Sequence, residues 1–163
     1  MKPTVLSPLA SPPDTGSEIG APPEAFWCTL EVGEDGVSRG VPHVNNAEYV
    51  RFVDRIAELA TDEAGFTRDT MLSERCMWFV ARHEIDYRAE AFAGDHLVAA
   101  TWIRDWTRTT VTRETRVLRP SDERLVLAAS TRWAFVNLDS RRPARIPQSM
   151  RDAFPTSSGA SPT

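Results

Sequence analysis

The sequence predicts an α+β fold in which an antiparallel sheet wraps around one long central helix. Three observations support this class. One long stretch with helical spacing of apolar residues follows Pro42. Four stretches rich in Val, Ile, Thr, Trp and Phe come after it, and period-two alternation is clearest over 111–117. The connectors between them are short and contain turn residues, which is typical of consecutive antiparallel strands.

The first elements of the predicted domain are a strand and the helix. Residues 26–32 alternate enough to form a strand, and a loop follows. Pro42 disfavours helical backbone at the residue before it, so the helix begins later, with Asn45 or Asn46 as its N-cap. The apolar residues of this helix cover more than one stripe, which predicts burial on most sides. Gly65 is a suitable end.

The second half of the domain is predicted to be a four-stranded meander in which each strand pairs with the next. A short helix over 146–154 closes the domain. A strand, a long buried helix and four long antiparallel strands together make a hot-dog fold, because a strongly twisted sheet can enclose a single apolar helix. A sheet with one helix leaves strand edges and apolar surface exposed, so we expect a homodimer.

Composition separates the folded part from the two ends. Residues 1–23 hold six of the twelve prolines and are predicted to be a disordered lead; residues 24–154 form the hot-dog domain, and 155–163 a disordered tail. The net charge of −4 does not indicate a nucleic-acid-binding protein. No apolar run is long enough to span a membrane. Two cysteines without a disulfide framework, and a first segment unlike a secretory signal, favour the cytoplasm.

Four segments of the sequence resemble those of a known protein family. They are HVNNAEYVRFVDRIAE, IDYRAEAFAGDHLVAATWI, TRTTVTRETRVLR and RPARIP. Together they resemble the 4-hydroxybenzoyl-CoA thioesterase-like family of hot-dog proteins, and the resemblance covers about residues 26–154. The resemblance implies hydrolysis of acyl thioesters of CoA or acyl-carrier protein, with neither a metal nor an organic cofactor. It also implies dimers or tetramers, with active sites at the subunit interface.

The resemblance places the thioester carbonyl at the N-terminus of the central helix. Unpaired N–H groups and the positive end of the helix dipole stabilise the negative charge that a tetrahedral intermediate develops there. The backbone N–H of Asn46 matches the family's oxyanion donor. The side chain of Asn45 is expected to cap the helix and to lie near the substrate, together with Tyr49 in the first turn.

One departure from the family pattern concerns its acidic residue, which many members carry four positions before the histidine of HVNN. Arg39 stands there instead, and three arrangements are open. Asp35 or Glu34 takes the place of the acid, unless the two belong to a solvated acidic turn. His43 acts as the general base, because histidine titrates near neutral pH, or is simply bonded to nearby backbone. Arg39 polarises the carbonyl together with the helix start, or is an ordinary surface arginine.

Asp54 is a further catalytic candidate, at a place on the helix where the family often has Glu or Asp. His43 and Asp54 are eleven residues apart, about three helical turns, so the two can share one face. A buried carboxylate on an apolar helix needs a partner. An arginine from the sheet as that partner would make Asp54 structural, whereas a catalytic Asp54 would be an acid or base reaching across a dimer.

The remaining candidates concern substrate binding. Thr110 matches a place where family members often have Ser or Thr near the substrate, although strand propensity also explains a threonine. Arg142 and Arg145 suit bidentate contacts with the CoA phosphates, or form a solvated basic turn. The five tryptophans indicate either a large aromatic core or an acyl pocket.

Three functions are compatible with these residues. The first is a thioesterase. With the arginine-rich composition and the missing acid, the resemblance implies a bacterial, pathway-specific enzyme of secondary metabolism. The second is a non-catalytic module that binds acyl thioesters, which the arginine at position 39 favours. The third is a hot-dog hydratase or dehydratase. Such enzymes usually pair an Asp with a His in the loop before the helix, and no Asp lies between Arg39 and His43.

Overall fold

The computed structural model describes residues 1–14 and 19–156, which form a six-stranded antiparallel sheet and three helices. The strands follow one another across the sheet in the order β1-β2-β4-β5-β6-β3. One long helix packs against one face, which confirms the predicted hot-dog fold. In chain order the elements are β1 (Val5–Leu9), β2 (Phe26–Glu31), α1 (Asn46–Glu63), α2 (Arg68–Ser73), β3 (Cys76–Tyr87), β4 (His96–Trp106), β5 (Thr110–Arg119), β6 (Arg124–Asn137) and α3 (Gln148–Ala153).

Helix α1 has the start and the end that the sequence predicts. Asn45 is the N-cap, and its side chain accepts a hydrogen bond from the Glu48 backbone N–H. Gly65 follows the last turn in the left-handed region, at φ +89°. Burial on most sides is wrong, because one face packs on the sheet while residues such as Arg51 and Glu58 are exposed. The buried face consists of Glu48, Tyr49, Phe52, Val53, Ile56, Ala57 and Ala60.

The meander prediction is right for three strands and wrong for the fourth. Strands β4, β5 and β6 pair in sequence, but β3 pairs with β6 and makes no pairing with β4. The connection over 88–95 therefore passes β6 and β5 on its way from the edge strand β3 to β4. As a result β3 is an outer edge of the sheet, with β1 at the opposite edge.

The predicted disordered lead contains a strand. Residues Val5–Leu9 form β1, which pairs antiparallel with β2, and Thr4 beside it is buried. Pro8 misled the prediction, since a proline is tolerated on an edge strand whose other side has no partner. The rest of the predicted lead includes residues 15–18, and the predicted tail includes 157–163, all of which lie outside the described residues.

Apolar side chains cover both faces of the sheet. The main core lies between α1 and the sheet and includes Phe52 and Ile56. A cluster around Trp27 and Ile19 lies on the opposite face, so the N-terminal segment shields that face from water. The predicted closing helix exists as α3, and Met150 on it packs with Phe135 and the aromatic side chains nearby. None of the helices within the described residues could span a membrane.

Candidate active site

The start of α1 is held by a small hairpin. Val37 and Val44 form an antiparallel bridge, and the Asn45 side-chain amide donates to the Gly36 carbonyl at 2.9 Å. The Asn45 carboxamide oxygen is occupied by the Glu48 N–H. Among the described residues none accepts a hydrogen bond from the backbone N–H of Asn46. The first turn therefore presents an unpaired donor at the positive end of the helix dipole, as predicted for an oxyanion site.

His43 lies directly before this helix start and is paired with a carboxylate. Its Nδ1 is 2.8 Å from Oε1 of Glu90, and the imidazole is about one-third exposed. The backbone carbonyl of His43 accepts the Ser38 N–H at 2.8 Å. Glu90 comes from the connection between β3 and β4, so the sequence could not show that it meets His43. The pair fixes the ring orientation, because one ring nitrogen is engaged by the carboxylate.

The residues considered as replacements for the family's acid lie elsewhere. Arg39 is exposed at the tip of the hairpin, and the described residues provide no ion-pair partner for its side chain. Asp35 is exposed, and its carboxylate accepts from both the backbone N–H and the hydroxyl of Thr4. Its visible role is to fasten the start of β1 to this loop. Neither residue lines the cavity described below.

Asp54 faces a histidine across the gap between α1 and β3. Its Oδ1 is 3.7 Å from Nε2 of His83, and the other ring nitrogen of His83 lies 2.9 Å from the Thr131 hydroxyl. Oδ1 is buried and makes no hydrogen bond to any described residue. The expected arginine partner from the sheet is absent among these residues; the partner is His83, because the register of β3 brings that residue opposite Asp54.

The electrostatics of Asp54 suit proton transfer. Burial raises the pKa of its carboxyl above the ordinary value of 3.8, the attraction of His83 lowers it, and the repulsion of Glu58 raises it again. The net effect is a carboxylate of increased basicity. A group whose pKa is shifted by burial and which lies on a cavity wall is a candidate for acid or base catalysis.

A cavity of about 280 Å³ adjoins Asp54. It lies between the second half of α1, helices α2 and α3, and the adjoining ends of strands β3 to β6. Its aromatic wall consists of Trp78, Trp106, Trp133 and Phe154, so three of the five tryptophans line a pocket rather than a closed core. Its polar lining includes Asp54, Glu58, Arg68 and Arg113. A cavity of this kind, mostly apolar with a few polar groups, is the usual form of a small-molecule site.

The other predicted substrate-binding residues lie outside the cavity lining. Tyr49 is buried in the core, and its hydroxyl accepts the Ala91 N–H at 2.9 Å, so its contact with substrate stays a prediction. The hydroxyl of Thr110 is bonded to that of Thr107 in the turn between β4 and β5. Arg142 and Arg145 are exposed beyond β6, where phosphate binding stays a prediction.

A sheet curved around a single helix, with a mostly apolar cavity beside that helix, defines a hot-dog protein. The family can be stated more closely, since the profile of the Thioesterase-like superfamily matches residues 41–154 and the chain belongs to that superfamily. Acyl-CoA thioesterase YbgC of Haemophilus influenzae is 29% identical over 122 residues, which are 74% of this chain and 87% of that protein.

Solved structures share the fold at low sequence identity. The Slr0204 protein of Synechocystis, a 1,4-dihydroxy-2-naphthoyl-CoA thioesterase, superposes with a TM-score of 0.73 at 18% identity, covering 79% of this chain and 94% of that one. The SAV2348 protein of Staphylococcus aureus, solved in complex with CoA, also has a TM-score of 0.73, at 16% identity, covering 79% and 80% of the two chains.

Proposed function

We propose that this protein hydrolyses an acyl-CoA thioester and that Asp54 activates the attacking water. The observation that carries the proposal is the buried, unbonded Oδ1 of Asp54 on the wall of the cavity. Family membership supports the reaction class. The raised pKa of this carboxyl supports its role, because a more basic carboxylate is a better proton acceptor.

The reaction needs one proton to move and return. Asp54 takes a proton from water while the water oxygen bonds to the thioester carbon, and the carbonyl oxygen becomes an oxyanion. Unpaired N–H groups at a helix start, such as that of Asn46, stabilise this charge. The C–S bond then breaks and the leaving thiolate takes the proton back from Asp54. The products are a carboxylic acid and a thiol, and His83 orients the carboxylate throughout.

The two catalytic groups belong to different copies of the chain. Asn46 and Asp54 are eight residues apart on one helix, which is about 12 Å along the axis. The mechanism needs the carbonyl at the Asn46 N–H and the water at Asp54 to lie within bonding distance of each other, and this separation favours a site shared by two copies. We therefore propose a homodimer in which the helix start of one copy approaches Asp54 of the other.

The exposed edge strand β3 supports this dimer. Phe79, Val80 and Tyr87 on it are large apolar residues exposed to solvent in the single chain. The Tyr87 hydroxyl lies 3.4 Å from the Asn46 carbonyl, so the helix start adjoins that end of β3. When two β3 strands pair antiparallel over their length, the Tyr87 end of one lies beside the Cys76 end of the other, where Met77 and Trp78 line the cavity that also contains Asp54. Such pairing also covers an edge that would otherwise invite aggregation.

Release of free thiol from a panel of aliphatic and aromatic acyl-CoAs tests the proposal. We expect turnover by the native protein, loss of about 10²–10⁴-fold in kcat for Asp54→Asn, and no loss for Glu63→Gln, an exposed carboxyl on the same helix outside the cavity. Thioesters on an acyl-carrier protein are assayed in parallel to identify the natural carrier. Binding without release from either carrier would contradict the proposal and support a module that only binds acyl thioesters.

A further inference from the structure

The side chain of Arg113 is buried on the cavity wall without a carboxylate partner. Only 5% of the residue is exposed. Its guanidinium donates to the Thr101 hydroxyl at 3.3 Å and lies 5.2 Å from the ring centroid of Phe154. Within the described residues no Asp or Glu forms an ion pair with it. This contrasts with Arg116 on the same strand, which is paired with Glu114.

A buried guanidinium without a carboxylate partner is costly, because burial removes most of its hydration and the Thr101 hydroxyl is the one acceptor found for it among the described residues. Burial lowers the pKa of Arg113 to about 10, so the group stays protonated at neutral pH. Folding alone does not explain why a cation stands at this position. A ligand that supplies an anion would offset the cost, and a carboxylate matches the guanidinium with two parallel hydrogen bonds.

The sheet register directs Arg113 toward the same cavity as Asp54. Arg113 pairs with Thr131, and Thr131 pairs with His83. Residues directly opposite one another on neighbouring strands share a face of the sheet. His83 contacts Asp54 on α1, so His83, Thr131 and Arg113 all lie on the face of the sheet that packs against this helix. The guanidinium and the proposed catalytic carboxylate therefore line one cavity.

A second unpaired donor supports a ligand at this place. The indole Nε1 of Trp133 is buried and makes no hydrogen bond to any described residue. Trp133 is two residues beyond Thr131 on β6, hence on the same face of the sheet, and it lines the cavity. The acidic residues Glu58 and Asp62 are exposed at the rim and accompanied by exposed Arg68. Water screens these rim charges, whereas the buried charge of Arg113 is screened much less.

We propose that the cavity receives an acyl group whose far end carries a carboxylate, and that Arg113 binds this carboxylate with help from the Trp133 N–H. The inference rests on the proposed thioesterase function and specifies its substrate as the CoA monothioester of a dicarboxylic acid. Arg113 is then a specificity-determining residue, remote from the bond that breaks.

Length-matched pairs of thioesters test this assignment. Succinyl-, glutaryl- and adipoyl-CoA are compared with butanoyl-, pentanoyl- and hexanoyl-CoA as substrates of the native protein. We expect kcat/KM to be at least about tenfold higher for the best carboxylated member than for its matched partner. A tenfold preference corresponds to about 1.4 kcal/mol of transition-state stabilisation. Binding is followed separately through the fluorescence of the three tryptophans that line the cavity, which does not require turnover.

Arg113→Met removes the charge and keeps the length of the side chain. It should fold, because replacing a buried charge by an apolar group is often neutral or stabilising, and its unfolding temperature is checked. We expect it to lose the preference for the carboxylated acyl group over its unsubstituted partner in both turnover and binding. Trp133→Phe should weaken the same preference. Arg116→Met, on the opposite face of β5, should leave it unchanged.

The failure of this assignment is distinct from that of the proposed function. Equal or better hydrolysis of the unsubstituted acyl groups, or a preference that survives Arg113→Met, would overturn the assignment and leave the thioesterase intact. Absence of hydrolysis with every thioester would overturn the thioesterase. In that case the fluorescence titration still decides whether Arg113 selects a carboxylate.

Discussion

Asp54 and His83 face one another across the gap between the central helix and the edge strand, with Oδ1 and Nε2 3.7 Å apart. The Thr131 hydroxyl bonds the far side of the imidazole, so the ring is held from the sheet while it faces the carboxylate. Oδ1 is shielded from solvent and has no hydrogen-bond partner among the described residues, whereas the Asp54 side chain as a whole is about half exposed on the cavity wall. This relationship connects the packing of helix on sheet with the proposed chemistry.

The pH dependence of turnover should report Asp54. A base works only when unprotonated, and burial raises the pKa of this carboxyl above 3.8. Activity should therefore fall as the pH drops, with a midpoint above that value. In His83→Gln the midpoint should move higher still, because the attraction of His83 lowers this pKa. Profiles of kcat/KM against pH provide the measurement. His96→Gln, at an exposed histidine on β4, is the control and should not move the midpoint.

Stability should reveal the same carboxyl independently of substrate. The pKa of Asp54 is higher in the folded than in the unfolded chain. At a pH between these two pKa values the folded chain therefore binds more protons, and the free energy of unfolding decreases as the pH rises through the folded-state pKa. At neutral pH the ionised Asp54 thus opposes folding. Asp54→Asn should unfold at a higher temperature than the native protein at pH 7, and the difference should shrink below pH 3.8. A lower unfolding temperature for the variant at pH 7 would mean that Asp54 stabilises the fold.

Much of the fold could be predicted from local patterns, and the failures concern long-range contacts. The Asn45 cap and the end at Gly65 depend on neighbouring residues, so the sequence contains their signal. The pairing of β3 with β6 depends on a crossover that no local pattern encodes. Strand β1 was missed because a proline there is compatible with an edge strand but suggests disorder.

The candidate site was predicted in part for the same reason. Asp54 stood out because a charge on an apolar helix is unusual, yet its partner depends on the register of β3, which the sequence does not display. Glu90 was missed beside His43 because it comes from a distant connection. The burial of Arg113 could have been predicted from the alternation of residues along β5. Arg113 lies on the same face of this strand as Val111 and Val117, and both valines are buried.

The dimer should depend on the edge strand β3. Val80→Lys places a charge among exposed apolar residues of that edge, and charged edge residues prevent strand pairing. By light scattering after gel filtration, we expect a dimer for the native protein and a monomer without thioesterase activity for this variant. Val5→Lys is the matched control on the opposite edge; the two valines are 38% and 45% exposed. An active Val80→Lys monomer would show that one chain completes the site.

The oxyanion donor can be removed with little change to the fold. Asn46 is the first residue of α1, where proline is well tolerated, and Asn45 before it already has extended backbone, at φ −74° and ψ 156°. Asn46→Pro deletes the N–H and should reduce kcat by about 10²–10³-fold. Asn46→Ala keeps the N–H and should remain active. Equal activity of these two variants would exclude the backbone donor.

Mixing two inactive variants tests the central claim most directly. Asn46→Pro and Asp54→Asn are unfolded together, refolded together and assayed for thiol release beside each variant alone. If the site combines the helix start of one copy with Asp54 of the other, mixed dimers contain one intact site, and activity should rise well above that of either variant. If both groups act within one chain, each chain of a mixed dimer holds one defect, and activity should stay at the level of the separate variants.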